Sequence, residues 1–242
     1  MPWFGGARLA ASEFEYHHRY WIMAAIFVFA YACYNVDHAN IVAAMAPWKK
    51  EVPHSDLPAR LIYATAALLA GAGASVLTWT KAYRPFGDDK SPALGESLAV
   101  PGPYRYLRNP EYFGYFLLLV GLSTFQSRVG AIIMLAGEMI LLVRLIGRAE
   151  TDLEQKCVTE FREYCRLVPQ LLPSVRPRVP ASNQLPEWKM ALWDHAFQWS
   201  LVATLIAFAF TLSDPVGYVF GLGTLLLLVV QQLFKRSWGR VR

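Results

Sequence analysis

Six long apolar runs constrain the fold of this 242-residue chain more than any other feature. Five of them approach the roughly 20 residues that a helix needs to cross a bilayer, and the third is shorter. Only 17% of the residues are charged, against about 25% in soluble domains. The sequence therefore predicts an all-α, polytopic integral membrane bundle with about six spans, the third tilted or partial. The runs cover residues 21–46, 61–83, 112–125, 129–146, 196–212 and 216–234.

Lysine and arginine are distributed unevenly among the connecting segments. With six spans, both termini lie on one side, and that side holds 19 of the 23 basic residues, whereas the opposite loops hold four. Cytoplasmic loops are enriched in lysine and arginine. We therefore predict a multi-pass protein with both termini in the cytoplasm, located in the inner membrane if the source is bacterial. The net charge of +5 then reflects this topology and contact with anionic lipids.

Several kinds of partner are not expected. The sequence resembles no nucleic-acid-binding fold, and no feature indicates an obligatory protein partner. The three cysteines, Cys33, Cys157 and Cys165, form neither a CxxC motif nor a zinc-type spacing. We expect no structural disulfide, because two of the cysteines fall on the predicted cytoplasmic side, and we expect no bound metal.

The chain reads as a single membrane domain over residues 1–242, with the last two spans, 195–235, as an accessory helical hairpin. Two predicted cytoplasmic segments, 84–109 and 147–194, are longer than simple turns require. In the second, an apolar residue recurs every three or four positions, which predicts an amphipathic helix that ends near Pro169. That apolar face consists of Leu153, Cys157, Phe161, Tyr164 and Val168.

The sequence GPYRYLRNPEYFG, residues 102–114, precedes the third apolar run. Tyrosine and arginine favour the membrane interface, and proline suits the first turn of a helix, so the start of a span explains much of it. It does not explain why Gly-Pro and Asn-Pro pairs constrain the backbone on both sides of YRYLR. A helix N-terminus with free N–H groups, aromatic rings and two guanidinium groups suits an adenosine-like ligand that carries a carboxylate.

This stretch resembles the GPYxxxRHPxYxG element of the isoprenylcysteine carboxyl methyltransferase and phospholipid methyltransferase superfamily. A second family element, Glu-Glu-x-x-Leu with later aromatics, Val-Pro and a final Pro, resembles the stretch from Ala149 to Pro173 at the same spacing. The resemblance covers about 100–175 and its preceding span, and marks 84–175 as a methyltransferase-like core. Asn109 replaces the usual His, Ala149 replaces the first Glu, and Cys157-Val158 replaces Phe-Gly.

The resemblance implies S-adenosylmethionine as cofactor, held in a cytoplasmic pocket. It assigns cofactor binding to Tyr104, Tyr106, Arg108, Asn109, Pro110, Tyr112, Glu150 and Leu153. Asn109 can still donate and accept hydrogen bonds but cannot titrate. We expect catalytic roles for Arg108, Arg144, Arg148 and Glu150, with Arg144 and Arg148 orienting carboxylates; their alternative role is to anchor the chain at the membrane edge.

Polar residues inside the apolar runs are candidates for binding the acceptor. Glu138 lies within LAGEMILLV, and Asp37 and His38 interrupt the first run. An intramembrane acid is costly and suggests a functional site, so we assign Glu138, Asp37 and His38 to the acceptor cavity; pairing between helices is the alternative. His195 is interpreted as an interfacial residue, and the GAGAS sequence at 71–75 predicts close helix packing.

The best-matching function is an S-adenosylmethionine-dependent methyltransferase that acts on a lipophilic acceptor from the membrane, most like an isoprenylcysteine carboxyl O-methyltransferase. Phospholipid N-methylation is an alternative. So is an NADPH-dependent sterol-type reductase, because FREYCRLVPQLLP and the Arg148-x-Glu150 pair also resemble that family. A lipid-binding protein without enzyme activity is the third.

Overall fold

The computed structural model describes residues 10–45, 56–83, 99–156 and 158–238, and these residues form helices and loops without an extended sheet. The predicted all-helical class is therefore confirmed. Residues 84–98 of the predicted core and Cys157 lie outside the described ranges. The helices are α1 Glu13–His17, α2 Arg19–Ala32, α3 Ile41–Met45, α4 Leu57–Ala82, α5 Pro110–Leu122, α6 Arg128–Lys156, α7 Val158–Leu167, α8 Trp188–Asp194, α9 Ala196–Thr211 and α10 Asp214–Trp238.

Within the described ranges, two helices are long and apolar enough to cross a membrane: α4, and α6 over Arg128–Gln155. Shorter apolar helical stretches are Ala196–Thr211 and Gly217–Gln231. The total of six spans stays a prediction. The first apolar run, 21–46, is interrupted as its polar residues indicate, because α2 ends at Ala32, and Asp37 and Asn40 accept hydrogen bonds from the backbone N–H groups of Ala39 and Val42.

Helices α4 and α5 pack closely, as the small residues of GAGAS predict. A Cβ atom added at Gly73 would lie 2.5 Å from the carbonyl oxygen of Gly114, so the two backbones touch where both residues are glycine. Nearby, a Cβ at Gly121 would lie 2.6 Å from the carbonyl oxygen of Ala66. These contacts run along both helices in opposite directions, so α4 and α5 are antiparallel, and the prediction of close packing is confirmed.

The other long helices complete an antiparallel bundle around α4 and α5. Helix α9 packs on α4, with Trp199 Nε1 donating to Thr78 Oγ1 at 3.0 Å near one end and the rings of Tyr63 and Phe208 in contact near the other. Helix α2 packs on α6, where Ile26 contacts Gly137. The bundle has two ends, named here the Glu150 end and the Arg128 end after residues near the two ends of α6.

The predicted amphipathic helix is present on both sides of Cys157, which lies outside the described residues. Helix α6 continues to Lys156, and α7 ends at Leu167, close to the predicted stop at Pro169. Its predicted apolar face forms a small core of its own, in which Phe161, Tyr164 and Val168 are buried against Val179 and Leu153 packs beside them. This core holds the proline-rich chain after α7 against the Glu150 end of the bundle.

Candidate functional site

The YRYLR turn, residues 104–108, is fixed by backbone contacts with the proline-rich segment 169–182. Tyr106 O accepts from Ser174 N at 3.0 Å, Arg105 O accepts from Arg178 N at 2.8 Å, and Arg108 N donates to Pro169 O at 2.9 Å. Gly102 starts the turn with φ +51°, a backbone conformation that favours glycine. The turn is therefore held against the proline-rich segment before α5 begins at Pro110.

Glu150 is the centre of a polar network at the Glu150 end. Its carboxylate accepts hydrogen bonds from Asn109 Nδ2 at 2.9 Å and from Gln170 Nε2 at 2.9 Å. Arg108 Nη1 lies 3.3 Å from the same carboxylate. The network joins three segments that are distant in sequence: the turn before α5, the end of α6 and the chain after α7.

Asn109 occupies the N-cap position of α5, but its side chain makes no capping hydrogen bond. Asparagine at this position usually accepts a hydrogen bond from its own helix. Here Nδ2 donates to Glu150 and, at 3.3 Å, to the carbonyl oxygen of Gln170. The side chain is thus committed to the Glu150 network.

Two buried polar atoms of this network lack a hydrogen-bond partner among the described residues: Arg108 Nε, a donor, and Gln170 Oε1, an acceptor. Unpaired buried polar atoms are costly and are uncommon in native structures. A ligand that offered an acceptor, such as a carboxylate, and a donor, such as a hydroxyl or ammonium group, would satisfy both. The residues present therefore fit S-adenosylmethionine, the cofactor that the sequence resemblance implies.

Cys165 and Tyr164 support the turn from α7. Arg108 Nη1 donates to Cys165 Sγ at 2.9 Å, and Tyr164 Oη donates to Tyr104 O at 2.8 Å. Burial raises the pKa of the Cys165 thiol and that of the Tyr164 hydroxyl. Both groups are therefore protonated at neutral pH and act as neutral supports.

The remaining predicted cofactor residues lie around the network at different distances. Pro110 is buried in the first turn of α5, and Leu153 packs on the α7 core. The Tyr106 ring packs against Trp79, with 5.8 Å between the ring centroids. Tyr112 points to the other side of α5, into a cavity of about 90 Å³ that Arg19 and Leu145 also line. Their cofactor-binding roles stay predictions.

Arg144 and Arg148 are paired with acidic residues. Arg144 makes a two-point contact with Glu15, with Nε–Oε1 at 2.9 Å and Nη2–Oε2 at 2.7 Å. Arg148 contacts Asp152 at 3.2 Å and Glu13 at 3.5 Å. These arginines could orient an acceptor carboxylate only if their acidic partners moved away. That role stays a prediction.

Asp37 lies at the Arg128 end, where it accepts hydrogen bonds from Arg128 at 2.8 Å and from the backbone N–H of Val129 at 3.1 Å. Its partner Arg128 precedes Glu150 by 22 residues on α6. Because a helix rises 1.5 Å per residue, Asp37 lies about 33 Å from Glu150. His38 beside it is exposed. Both remain predicted acceptor residues, at the opposite end of the bundle from the Glu150 network.

A groove of about 1,920 Å³ runs along the bundle between α2 on one side and α9 and α10 on the other. Glu138 lies in its wall, 1% exposed, and neither carboxylate oxygen has a hydrogen-bond partner among the described residues. The Arg128 end of the groove includes Tyr34 and Asn40. Its Glu150 end, called the groove mouth below, is lined by Lys81, Tyr104, Glu111, Asp194 and His195.

Sequence reasoning missed three residues at this end of the bundle. Gln170 follows the Val-Pro pair, in a stretch whose proline-rich composition predicted only a non-helical backbone. Glu111 was passed over inside the motif, and His195 was interpreted as interfacial. Only the folded chain brings Gln170 to Glu150, and His195 to the same groove mouth as Glu111.

No curated protein and no solved structure matches the chain. Residues 59–157 match the family model described as phospholipid methyltransferase. The matched residues include the GPYRYLRNPEYFG element and Glu150, the two segments that the Asn109–Glu150 hydrogen bond joins. The family suggests a membrane methyltransferase. Residues 59–157 are therefore similar to the phospholipid methyltransferase family, which lies within the membrane methyltransferase superfamily of phospholipid and isoprenylcysteine carboxyl methyltransferases.

Proposed function

We propose that the protein is an S-adenosylmethionine-dependent methyltransferase whose acceptor is a lipophilic molecule from the membrane. The observation that carries the proposal is the Glu150 network. It joins the two family elements across 41 residues of sequence and contains an unpaired donor and an unpaired acceptor. A packed structural network would be expected to satisfy its own buried atoms.

Three residues would hold the cofactor. The carboxylate of Glu150 is suited to ribose hydroxyls or to the ammonium of the methionine part, since it accepts hydrogen bonds. Arg108 Nε is suited to a carboxylate, and Gln170 Oε1 is suited to a hydroxyl or amino group. Asn109 orients Glu150 through the 2.9 Å hydrogen bond.

When bound, S-adenosylmethionine supplies a methyl group on a positively charged sulfur. The chain then has to orient the acceptor in line with that methyl group and to exclude water. The groove suits this task, because it is lined mainly by apolar side chains along the helices and becomes polar at its mouth. Glu111 at the mouth and Asn109 of the Glu150 network belong to the same turn at the start of α5.

The acceptor is either a carboxylate, as in the isoprenylcysteine carboxyl methyltransferases, or an amine, as in phospholipid N-methylation. The charges at the groove mouth favour the amine. Glu111 makes no ion pair with any described residue, whereas Lys81 is paired with Asp194 at 2.9 Å. A cationic headgroup would complement the unpaired acid, and a carboxylate headgroup would meet repulsion there.

Binding of S-adenosylhomocysteine tests the proposal. Calorimetry on the purified full-length chain should detect binding, and Glu150→Ala should weaken it at least tenfold, about 1.4 kcal/mol. Glu150→Gln keeps the shape of the side chain and should also weaken binding. Glu154→Ala is the control, because Glu154 lies one turn further along α6 and pairs with Arg162 at 3.0 Å instead.

Equal binding by wild type and both Glu150 variants would exclude Glu150 from the cofactor site. Binding of NADPH without binding of S-adenosylhomocysteine would support the reductase alternative. Binding of neither compound would support a lipid-binding protein without enzyme activity.

A further inference from the structure

His195 lies outside the residues that match the family, in the junction between α8 and α9. It is 8% exposed and lines the groove mouth. The first turn of α5 lies at the groove mouth through Glu111 and at the Glu150 network through Asn109, so His195 is close to both. The helical hairpin of α9 and α10 therefore adds a titratable side chain to the place where the proposed acceptor would present its polar group.

The hydrogen bond of His195 fixes the tautomer of its ring. Nδ1 lies 3.2 Å from the carbonyl oxygen of Ala191. A carbonyl oxygen can only accept, so Nδ1 carries the hydrogen and donates it. In the neutral ring, Nε2 then has a free lone pair, and no hydrogen bond from a described residue occupies it.

The groups that face His195 come from three helices: Lys81 from α4, Glu111 from α5 and Asp194 from α8. Burial is the largest influence and lowers the pKa of His195, and Lys81 lowers it further. The hydrogen bond to Ala191 and the charges of Glu111 and Asp194 oppose this shift, but the pKa stays below its usual value of about 6.5. The ring is therefore neutral at pH 7.

We propose that Nε2 of His195 is the general base that removes a proton from the acceptor. The acceptor is then a protonated amine headgroup, whose positive charge Glu111 attracts. The N–H bond of the ammonium breaks, its electron pair stays on the amine nitrogen, and the proton bonds to Nε2. The imidazolium then releases this proton to water at the groove mouth.

This inference rests on the proposed methyltransferase function and adds a catalytic residue to it. A carboxylate acceptor is ionised at pH 7 and needs no base, whereas an alkylammonium must lose a proton before it can act as a nucleophile. A neutral, buried imidazole at the groove mouth is therefore useful for an amine acceptor and unnecessary for a carboxylate acceptor.

The test uses the full-length chain in lipid nanodiscs, with His195→Gln as the variant. Labelled S-adenosylmethionine is the methyl donor, and two lipids serve as acceptors: a primary-amine phospholipid and a prenylated cysteine carboxylate. His195→Gln should slow amine methylation about 100-fold at pH 7. The deficit should shrink as the pH rises and more of the amine is deprotonated, and added imidazole should partly rescue His195→Ala.

His18→Gln is the matched control, because His18 Nδ1 also contacts the carbonyl oxygen four residues earlier, at 3.0 Å, but the side chain is exposed. Both glutamine variants should bind S-adenosylhomocysteine within about twofold of wild type. Nitrogen-15 NMR of the wild-type imidazole should show the hydrogen on Nδ1 and a pKa below 6.5.

Amine methylation by His195→Gln at the wild-type rate and pH profile would overturn the proposal, as would a ring with its hydrogen on Nε2. Methylation of the carboxylate lipid alone would also overturn it. Loss of S-adenosylhomocysteine binding in the wild type would instead reject the proposed function, so the two failures are distinguishable.

Discussion

At the scale of single residues, the ion pair of Glu15 and Arg144 attaches α1 to α6. The arginine contacts both carboxylate oxygens, and the backbone N–H of Ala11 donates to Arg144 O at 2.8 Å. The hydrogen bond from Arg144 and the backbone hydrogen bond at Ser12 lower the pKa of Glu15 to about 2. This pair holds α1 against the end of α6 beside Tyr112.

The pair should make stability depend on pH between about 4.5 and 2. Because the pKa of Glu15 is lower in the folded chain, its stabilising effect is complete above the unfolded pKa of about 4.5 and is lost as the pH falls toward 2. Glu15→Gln should lower the melting temperature at pH 6 by at most about 3 °C, because both side chains are partly exposed.

Thermal unfolding in detergent at pH 6 and at pH 3 measures the effect, and the difference between wild type and variant should narrow at pH 3. Glu13→Gln is the control, because Glu13 is largely exposed and lies 3.5 Å from Arg148. A difference that grows as the pH falls would contradict the ion-pair explanation.

Helices α4 and α5 determine, at the scale of elements, where the first turn of α5 lies. Their backbones touch at Gly73 and Gly114, so α5 has little freedom to slide along α4. The same turn of α5 directs Asn109 to the Glu150 network and Glu111 to the groove mouth. Loss of this close packing should therefore disturb both sites together.

Gly73→Ala should destabilise the protein, because the added Cβ would lie 2.5 Å from one backbone atom of α5 and 2.7 Å from another. Backbone atoms cannot move aside as a flexible side chain can, so we expect a loss of roughly 1–3 kcal/mol, measured by thermal unfolding. Gly71→Ala is the control, because its Cβ would meet only the Val202 side chain at 3.7 Å. Equal stability of the two variants would contradict close packing.

At the scale of the whole molecule, the groove joins parts of the chain that the family match separates. Helices α5 and α6 and nearly all of α4 belong to the matched residues, whereas α2, α9 and α10 lie outside them. Both groups of helices line the groove. The hairpin that the sequence predicts to be accessory therefore forms one wall of the groove and supplies His195 at its mouth.

The predicted topology places the two ends of the bundle on opposite sides of the membrane. In a cysteine-free variant, a cysteine at exposed His38 should react with a membrane-impermeant reagent only from outside the cell. A cysteine at exposed Glu163 in α7 should react only from the cytoplasmic side. Labelling of sealed vesicles of known orientation measures this, and reaction of both positions from one side would contradict a bundle that crosses the membrane.

The sequence determined the helical class and much of the local structure of the site. Apolar runs near the length of a membrane span predicted helices, the small residues of GAGAS predicted close packing, and the spacing from Leu153 to Val168 predicted the apolar face shared by the last turn of α6 and α7. These features depend on residues close together along the chain, and helical periodicity makes them readable. The family resemblance also implied that Asn109 and Glu150 share a site, and their 2.9 Å hydrogen bond is consistent with this.

Only the tertiary structure decided which side chains complete that site. Gln170 reaches Glu150 because the chain after α7 folds back on the YRYLR turn, and Arg144 is paired because α1 returns to the end of α6. His195 meets the groove mouth only because α9 packs antiparallel to α4. Such contacts join residues separated by tens of positions, and their geometry follows from how whole helices pack rather than from any local pattern.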